Sequence, residues 1–191
     1  MELFDAPHYR SPGCIEVEGD WSNGAFWLAS NTLGSLVEVT NLNAASPQGD
    51  RAAASLLHAL EDHIVVDASD IPDLVPVLSV VAAAKKGAVF TNVQRLRIKE
   101  SDRVATVIEM IENLGGKAEA TEDVLRIDDA GLTGGTVNSH NDHRIAMAAA
   151  IAATICAKPV TILGAEAVKK SYPKFWEEYR KLGGYYEQHL R

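Results

Sequence analysis

The stretch Asp70-Ile71-Pro72-Asp73-Leu74-Val75-Pro76 opens the most regular apolar run of the chain. From Leu74 to Ala84 the sequence reads LVPVLSVVAAA, in which Ser79 is the only polar residue. An acidic residue followed by proline is typical of a helix start, because proline is tolerated only in or before the first turn. A helix that is apolar nearly all round must be covered on most sides. We therefore predict a buried helix over 74–84, with Asp70 as its N-terminal cap.

The same order of features occurs three times along the chain. An acidic turn, an apolar stretch of small residues, a β-branched run and a second helix start recur in copies that begin near Asp20, Asp70 and Asp142. From each Asp to the last residue of the matching second helix start, the distance is 31, 33 and 32 residues. We interpret the β-branched runs as strands: Leu36–Thr40, Ala88–Thr91 and Pro159–Leu163. Three matches in order and spacing predict three copies of a β-α-β-α unit.

The middle copy contains the full unit. Its second helix, Val104–Leu114, ends at a Gly-Gly pair that can supply a left-handed cap, and two short strands near 117–120 and 124–127 follow, with a turn at 133–136. The first copy is shortened, because only 61–69 separates its second helix from the next acidic turn. We predict an α/β domain of repeated β-α-β-α-β-β units with threefold pseudosymmetry, in which the helices are buried inside and the sheets lie outside.

Composition excludes several classes of protein. The chain has 191 residues, 47% of them hydrophobic and 23% charged, as in an ordinary soluble globular protein. The net charge of −8 argues against nucleic acid as a partner, since that requires a basic face. The longest apolar run, Ile145–Ala157, is too short to span a membrane. With two cysteines, no metal-binding spacing and no signal sequence, we expect a cytoplasmic protein without a metal site or membrane partner.

The basic residues are concentrated in the later part of the chain. Residues 1–67 hold 10 acidic and 2 basic residues, whereas residues 68–191 hold 16 of each. The segment 85–103 alone carries a net charge of +4, and Arg144 and Lys169-Lys170 add further bases. We interpret all these bases as lying at strand-to-helix junctions, where helix N-termini favour phosphate and carboxylate groups.

Acidic residues are interleaved with these bases, as Asp73, Glu100 and Asp142. Mixed acids and bases at several helix starts suit proton transfer on an anionic substrate. The alternative is structural: solvated surface charges, a His143 whose hydrogen bonds are satisfied within the fold, and helix caps or first-turn acids at Asp20, Asp70, Asp102 and Asp142. The residues alone therefore predict a binder of, or an enzyme for, a multiply anionic small molecule.

Several separated motifs make the prediction more specific. In chain order they are Val17–Asp20, Gln48–Arg51, Asp67–Asp73, Leu96–Arg103 (LRIKESDR), Asn141–Met147 (NDHRIAM) and Lys170–Pro173 (KSYP). Together they resemble the C-terminal domain of the 5-enolpyruvylshikimate-3-phosphate synthase family, over about residues 14–184. The resemblance implies transfer of the enolpyruvyl group of phosphoenolpyruvate to the 5-hydroxyl of shikimate 3-phosphate, with release of phosphate and no cofactor.

The resemblance also assigns roles to individual residues. It implies that Asp73 faces the 5-hydroxyl, and that Glu100 and Lys170 exchange protons with the phosphoenolpyruvate carbons and the leaving group, in an order left open. The implied phosphoenolpyruvate ligands are Arg103, His143, Arg144 and Lys170. The implied shikimate 3-phosphate ligands are Asp73, Lys99 and Arg95.

The resemblance covers only one domain of the family's two, whose active site lies in the cleft between them. It therefore implies a missing N-terminal domain as a partner, in the same chain or as a separate one, and a chain that is inactive or weakly active alone. We expect residues 1–13 to be a linker or a junction introduced by cloning, and units at about 14–66, 67–137 and 138–184. Two alternatives stay open: a UDP-N-acetylglucosamine enolpyruvyl transferase-like domain, and a non-catalytic fragment or split-enzyme subunit.

Overall fold

The computed structural model describes residues 10–189, so the expectation for residues 1–9 lies outside the described part of the chain. Within this range there are six α-helices: α1 Trp21–Thr32, α2 Ala53–Ala59, α3 Val75–Ala84, α4 Arg103–Asn113, α5 His143–Ala153 and α6 Phe175–Lys181. The strands in the same range are β1 Ile64–Asp67, β2 Ala88–Thr91, β3 Ala118–Ala120, β4 Val124–Ile127, β5 Gly135–Asn138 and β6 Val160–Leu163. Short 3-10 helices lie before α2, α4 and α6, at Gly49–Ala52, Gln94–Ile98 and Ala165–Lys170.

The strands form two sheets. In the larger sheet, with order β1-β2-β4-β3, β1 and β2 are parallel, whereas β4 and β3 add to β2 as an antiparallel hairpin. The smaller sheet is the parallel pair of β5 and β6. Parallel neighbours need a crossover connection, and in this chain α3 joins β1 to β2 and α5 joins β5 to β6.

Helices α3 and α5 form the centre of the core and pack against each other. Every residue from Val75 to Ala83 and from His143 to Ala152 is buried. The strands bury at most alternate residues, as in β2, where Ala88 and Phe90 are buried and Val89 is half-buried. The sequence prediction of a buried helix after Leu74 is therefore confirmed.

Local capping fixes where α4 begins and ends. The Asp102 carboxylate accepts a hydrogen bond from the backbone N–H of Ala105 at 3.1 Å, and thereby places the first turn of the helix. At the other end, Gly115 adopts a left-handed φ of 92°, and the N–H of Gly116 donates to the carbonyl of Ile111 at 2.9 Å. Both caps were predicted from the sequence and are confirmed.

Asp70, in contrast, does not cap α3. The N-cap position is Leu74, and Asp70 lies in the turns that lead into the helix. In these turns the N–H of Leu74 donates to the carbonyl of Ile71 at 3.0 Å, and Leu74 makes no side-chain capping bond. The capping prediction is confirmed for Asp20, which accepts from the N–H of Asn23, and for Asp142.

The strand predicted at Leu36–Thr40 is absent, and this stretch has no regular secondary structure. The Asn31 side chain explains the difference. Its amide group donates to the carbonyl of Val37 and its oxygen accepts from the N–H of Val37, both at 2.7 Å. These are the two backbone groups that a neighbouring strand would otherwise bind, and Leu36 beside them is fully exposed.

Strands β1 and β5 were not predicted. The turn predicted at 133–136 is wrong for its second half, because Gly135 begins β5. Both strands cross the expected unit boundaries, and each leads directly into one of the buried helices. Helix α5 ends at Ala153, and no helix within residues 10–189 has the length and hydropathy needed to cross a membrane.

Candidate functional site

Arg103 lies at the centre of an ion cluster. It is the first residue of α4, and the cap at Asp102 directs the helix so that its side chain enters the interior, where it is 0% exposed. Its Nη1 donates to Asp73 Oδ1 at 2.7 Å, its Nη2 contacts Glu100 Oε2, and its Nε donates to Asp142 Oδ2 at 2.9 Å. Burial alone would lower the pKa of Arg103, but Asp142 and Asp73 outweigh it and raise the pKa, so the guanidinium is charged.

Asp73 connects the cluster to two further cations. Its Oδ2 lies 3.5 Å from Arg144 Nη2, and its Oδ1 lies 3.7 Å from Lys99 Nζ. Burial would raise the pKa of Asp73, but Arg144, Arg103 and Lys99 together hold it below its ordinary value. Asp73 is therefore a carboxylate at neutral pH, and a third of its side chain is open to solvent.

Arg144 is the second residue of α5. Its side chain is buried, its Nη1 lies 3.5 Å from Asn23 Oδ1, and its guanidinium carbon lies 5.9 Å from the centre of the Phe26 ring. Its Nε is buried without a hydrogen-bond partner among the described residues. Such a donor is costly to leave unpaired, so this arginine has capacity for a further acceptor.

His143 and Glu100 flank the two arginines. Burial, followed by the neighbouring Arg144, lowers the pKa of His143, so its imidazole is neutral at pH 7. Its Nδ1 is buried without a partner among the described residues. Glu100 pairs with Arg103 while 37% of its side chain remains exposed.

Lys170 and Arg95 lie at the margins of the cluster. Lys170 is exposed, and its Nζ donates to the carbonyl of Asn141, just before α5. Two residues later, Tyr172 anchors this loop: its hydroxyl accepts from Trp27 Nε1 at 3.2 Å and its ring packs edge-on against Trp27. Arg95 donates to the carbonyl of Ser69 at 3.1 Å.

A groove of about 330 Å³ runs from Asp73 and Arg95 to the Gln48-Gly49-Asp50 turn. The turn fits closely against the Asp-containing loop, because a Cβ atom on Gly49 would lie 2.7 Å from the carbonyl oxygen of Asp70. Burial raises the pKa of Asp50, whose carboxylate accepts from the Ser22 hydroxyl.

The structure thus brings five of the sequence-predicted site residues into one contact network, and these are Asp73, Lys99, Glu100, Arg103 and Arg144. His143, Lys170 and Arg95 border the network and are not bonded to it. The expectation that every base lies at a strand-to-helix junction is wrong for Lys85, which lies at the C-terminal end of α3 and pairs with Glu61 at 2.8 Å. Arg97 lies between β2 and α4 but is not part of the contact network, since its side chain donates to the carbonyl of Thr121.

Sequence reasoning missed the buried role of Asp142 and the contribution of Asn23. The predicted first copy has few matched site residues, yet Asn23 in the opening turn of α1 contacts Arg144. Asp142 was recognised only as an acid and a possible cap. Its position beside Arg144 in an acid-cap pattern was the available signal, but pairing with a base 39 residues earlier is not visible in local sequence.

The arrangement is suited to binding a small anion and moving a proton. Two buried arginines converge on Asp73, a partly exposed carboxylate, and Lys99 and Glu100 lie at the open side. Guanidinium groups bind carboxylate or phosphate in a fixed plane, and an ionised carboxylate can accept a proton from a hydroxyl.

Comparisons with known proteins show the family to which the chain is related. Residues 56–179 match the family model described as EPSP synthase (3-phosphoshikimate 1-carboxyvinyltransferase). A relative named 3-phosphoshikimate 1-carboxyvinyltransferase, from Clostridium acetobutylicum, is 45% identical over 186 residues, which cover 88% of this chain and 44% of the relative. A relative of the same name from Clostridium perfringens is 41% identical, over 91% of this chain and 46% of its own length.

Among solved structures, EPSP synthase from Acinetobacter baumannii is 28% identical with a TM-score of 0.55, over 71% of this chain and 29% of that one. The mixed α/β content and this likeness fit an α/β enolpyruvyl transferase fold. This chain spans a little under half the length of the curated relatives named above. On the family model, the relatives and the fold together, the chain belongs to the EPSP synthase family.

Proposed function

We propose that this chain forms one wall of a 3-phosphoshikimate 1-carboxyvinyltransferase site. The observation that carries the proposal is the position of Asp73, whose carboxylate is shared by Arg103, Arg144 and Lys99 at the open side of the cluster. A base for a sugar-like hydroxyl must lie beside cations that hold an anionic co-substrate, and this carboxylate does.

In the proposed reaction, Asp73 accepts the proton of the 5-hydroxyl of shikimate 3-phosphate as that oxygen attacks C2 of phosphoenolpyruvate. C3 of phosphoenolpyruvate receives a proton from Glu100 or Lys170. The C2–O bond to phosphate then breaks, C3 loses a proton, and the enolpyruvyl ether and inorganic phosphate leave. Arg103, Arg144 and Lys170 hold the anionic groups of phosphoenolpyruvate, with His143 beside them, and Lys99 and Arg95 hold shikimate 3-phosphate.

We also propose that the opposite wall of the site comes from polypeptide outside this sequence. The curated relatives are a little over twice as long as the part that this chain matches. The described cluster is open at Asp73 and Glu100, and closure around the substrates would exclude water and orient the reacting groups. The chain alone should then have little or no turnover.

The threefold repeat of the fold is part of the same proposal. Two copies of the unit, β1-α3-β2 and β5-α5-β6, have a buried helix and a sheet with exposed residues, and α1 packs against both buried helices in the place of a third. We propose that the full domain repeats this arrangement around the three central helices, with its sheets outside.

The test is a phosphate-release assay with phosphoenolpyruvate and shikimate 3-phosphate. It compares the chain alone with a hybrid in which the N-terminal half of the Clostridium acetobutylicum relative is joined to this chain. We expect turnover in the hybrid and at least a hundredfold less in the chain alone. A hybrid that is folded but inactive, or active only with UDP-N-acetylglucosamine as the acceptor, would refute the assignment.

The matched pair of variants is Arg103→Lys and Arg126→Lys in the hybrid. Arg126 is a half-exposed surface residue whose Nε lies 3.4 Å from Glu119. A lysine cannot reproduce the planar contacts of Arg103, so we expect that variant to lose at least about tenfold in kcat/KM, with Arg126→Lys unchanged.

A further inference from the structure

The Asp142 carboxylate has more partners than a helix cap needs. Its Oδ1 accepts from the backbone N–H of Arg144 at 2.9 Å, which is the capping bond. Its Oδ2 accepts from Arg103 Nε at 2.9 Å and from Ser101 Oγ at 3.1 Å, and its Oδ1 lies 3.4 Å from Arg103 Nη2. The side chain is 0% exposed. Since a neutral Ser or Asn caps a helix as well as Asp does, capping alone does not explain a fully buried charge at this position.

The other aspartate caps of the chain lack this feature. Asp20 caps α1 and Asp102 caps α4, both are exposed, and neither contacts the guanidinium of Arg103 or Arg144. Apart from its capping bond, Asp102 has a 3.4 Å surface contact with Arg97. Asp20 and Asp102 therefore serve as controls that cap a helix without binding Arg103, whereas Asp142 caps a helix and also binds Arg103.

The two sides of the Arg103 guanidinium have different surroundings. On the Nε side it meets Asp142, and both groups are fully buried. On the Nη1 side it meets Asp73, and its Nη2 also contacts Glu100, whose side chains are 33% and 37% exposed. An incoming anion can reach and replace the partly exposed carboxylates, whereas the Asp142 pair is closed to solvent.

We infer that Asp142 is a positioning residue, which holds Arg103 through its Nε side and presents the Nη atoms to a bound anion. Through the backbone bond to Arg144, the same carboxylate joins the starts of α4 and α5, so the two arginines are fixed relative to each other. The identity of that anion as phosphoenolpyruvate rests on the proposed function, but the fixing of Arg103 does not.

The first experiment tests the fixing directly. In the ¹⁵N-labelled chain, Arg103 Nε–H should exchange slowly with solvent, because it is buried and bonded. Asp142→Asn keeps an oxygen for the cap but weakens or loses the acceptor at Nε, and we expect exchange to become at least tenfold faster. Asp102→Asn, the same change in an exposed cap of the helix that carries Arg103, should leave the exchange rate unchanged. Equal exchange in wild type and Asp142→Asn would overturn the inference.

The second experiment uses the hybrid enzyme. We expect Asp142→Asn to raise KM for phosphoenolpyruvate at least tenfold, and to add little when Arg103 is already lysine, because the effect acts through Arg103. Independent, additive losses would overturn the positioning role. An inactive wild-type hybrid would instead refute the proposed function, and the exchange measurement would still decide the role of Asp142.

Folding is checked by circular dichroism for each variant. If Asp142→Asn does not fold, Asp142→Ser replaces it, since serine caps helices well and carries no charge. Failure of both variants to fold would show that Asp142 is required for folding itself, and would also overturn the inference.

Discussion

Replacing Arg103 with methionine removes the positive charge at the centre of the cluster and keeps an unbranched side chain. The wild-type guanidinium is fully buried against Asp142, Asp73 and Glu100. In the variant, water can replace the lost guanidinium at Asp73 and Glu100, because about a third of each side chain is already exposed. Asp142 is 0% exposed and is left as a buried carboxylate without its cation.

This geometry sets the expected magnitude. Breaking a buried ion pair by removing one partner costs about 3–5 kcal/mol, because the remaining charge is desolvated and uncompensated. For a chain of this size that corresponds to a fall in the melting temperature of roughly 6–20 °C. Removing the second charge as well, in Arg103→Met with Asp142→Asn, should recover at least about 1.5 kcal/mol of the loss.

The assay is urea unfolding followed by tryptophan fluorescence, since Trp21 and Trp27 are both buried. Arg126→Met is the control, because Arg126 makes a solvent-exposed pair with Glu119 and its loss should cost no more than about 1 kcal/mol. A cost below about 1 kcal/mol for Arg103→Met, or a double variant that recovers none of the loss, would show that Asp142 is not left as an uncompensated buried charge.

Two further predictions concern acid–base behaviour. In the hybrid enzyme, Asp73→Asn should lower kcat by about 10²–10⁴-fold. Asp62→Asn, a change at an exposed surface residue, should leave kcat unchanged. Equal kcat values in wild type and Asp73→Asn would show that Asp73 is not the base. Burial and Arg144 lower the pKa of His143 in the folded state. The neutral imidazole therefore contributes stability above the unfolded-state pKa of about 6.5, and this contribution is lost as the pH falls through that value toward the folded-state pKa. The free energy of unfolding should therefore fall more between pH 7.5 and 5.5 in wild type than in His143→Gln, and parallel curves would contradict this. Asp73, whose pKa is lowered, loses its contribution only near and below about pH 4 and does not interfere.

Much of the fold could be predicted because the relevant signals are local. Asp20, Asp102 and Asp142 satisfy N–H groups within three residues of themselves, and the glycine after α4 is left-handed in its own turn. The run after Leu74 is apolar on every face, which requires burial wherever it packs. These features depend on short-range sterics and hydrogen bonds that the sequence displays directly.

The predictions that failed depend on partners distant in sequence. The stretch 36–40 has the residues of a strand, but Asn31 binds both backbone groups of Val37, which a strand partner would need. The four-residue strands β1 and β5 are defined mainly by their pairing with β2 and β6. Lys85 belongs to a basic segment in the sequence, yet it lies at the end of α3 away from the helix starts.

The sequence by itself determined the family, and it predicted the repeat and the residue types of the proposed site, because these are recorded in motifs and spacings. Only the tertiary structure decided how the charges pair. It places the starts of α4 and α5 so close together that Asp142 binds an arginine 39 residues earlier in the chain, while Asp73 joins that arginine to Arg144. The physical reason is desolvation: each buried charge must find an opposite charge, and packing of the central helices decides which one is within reach.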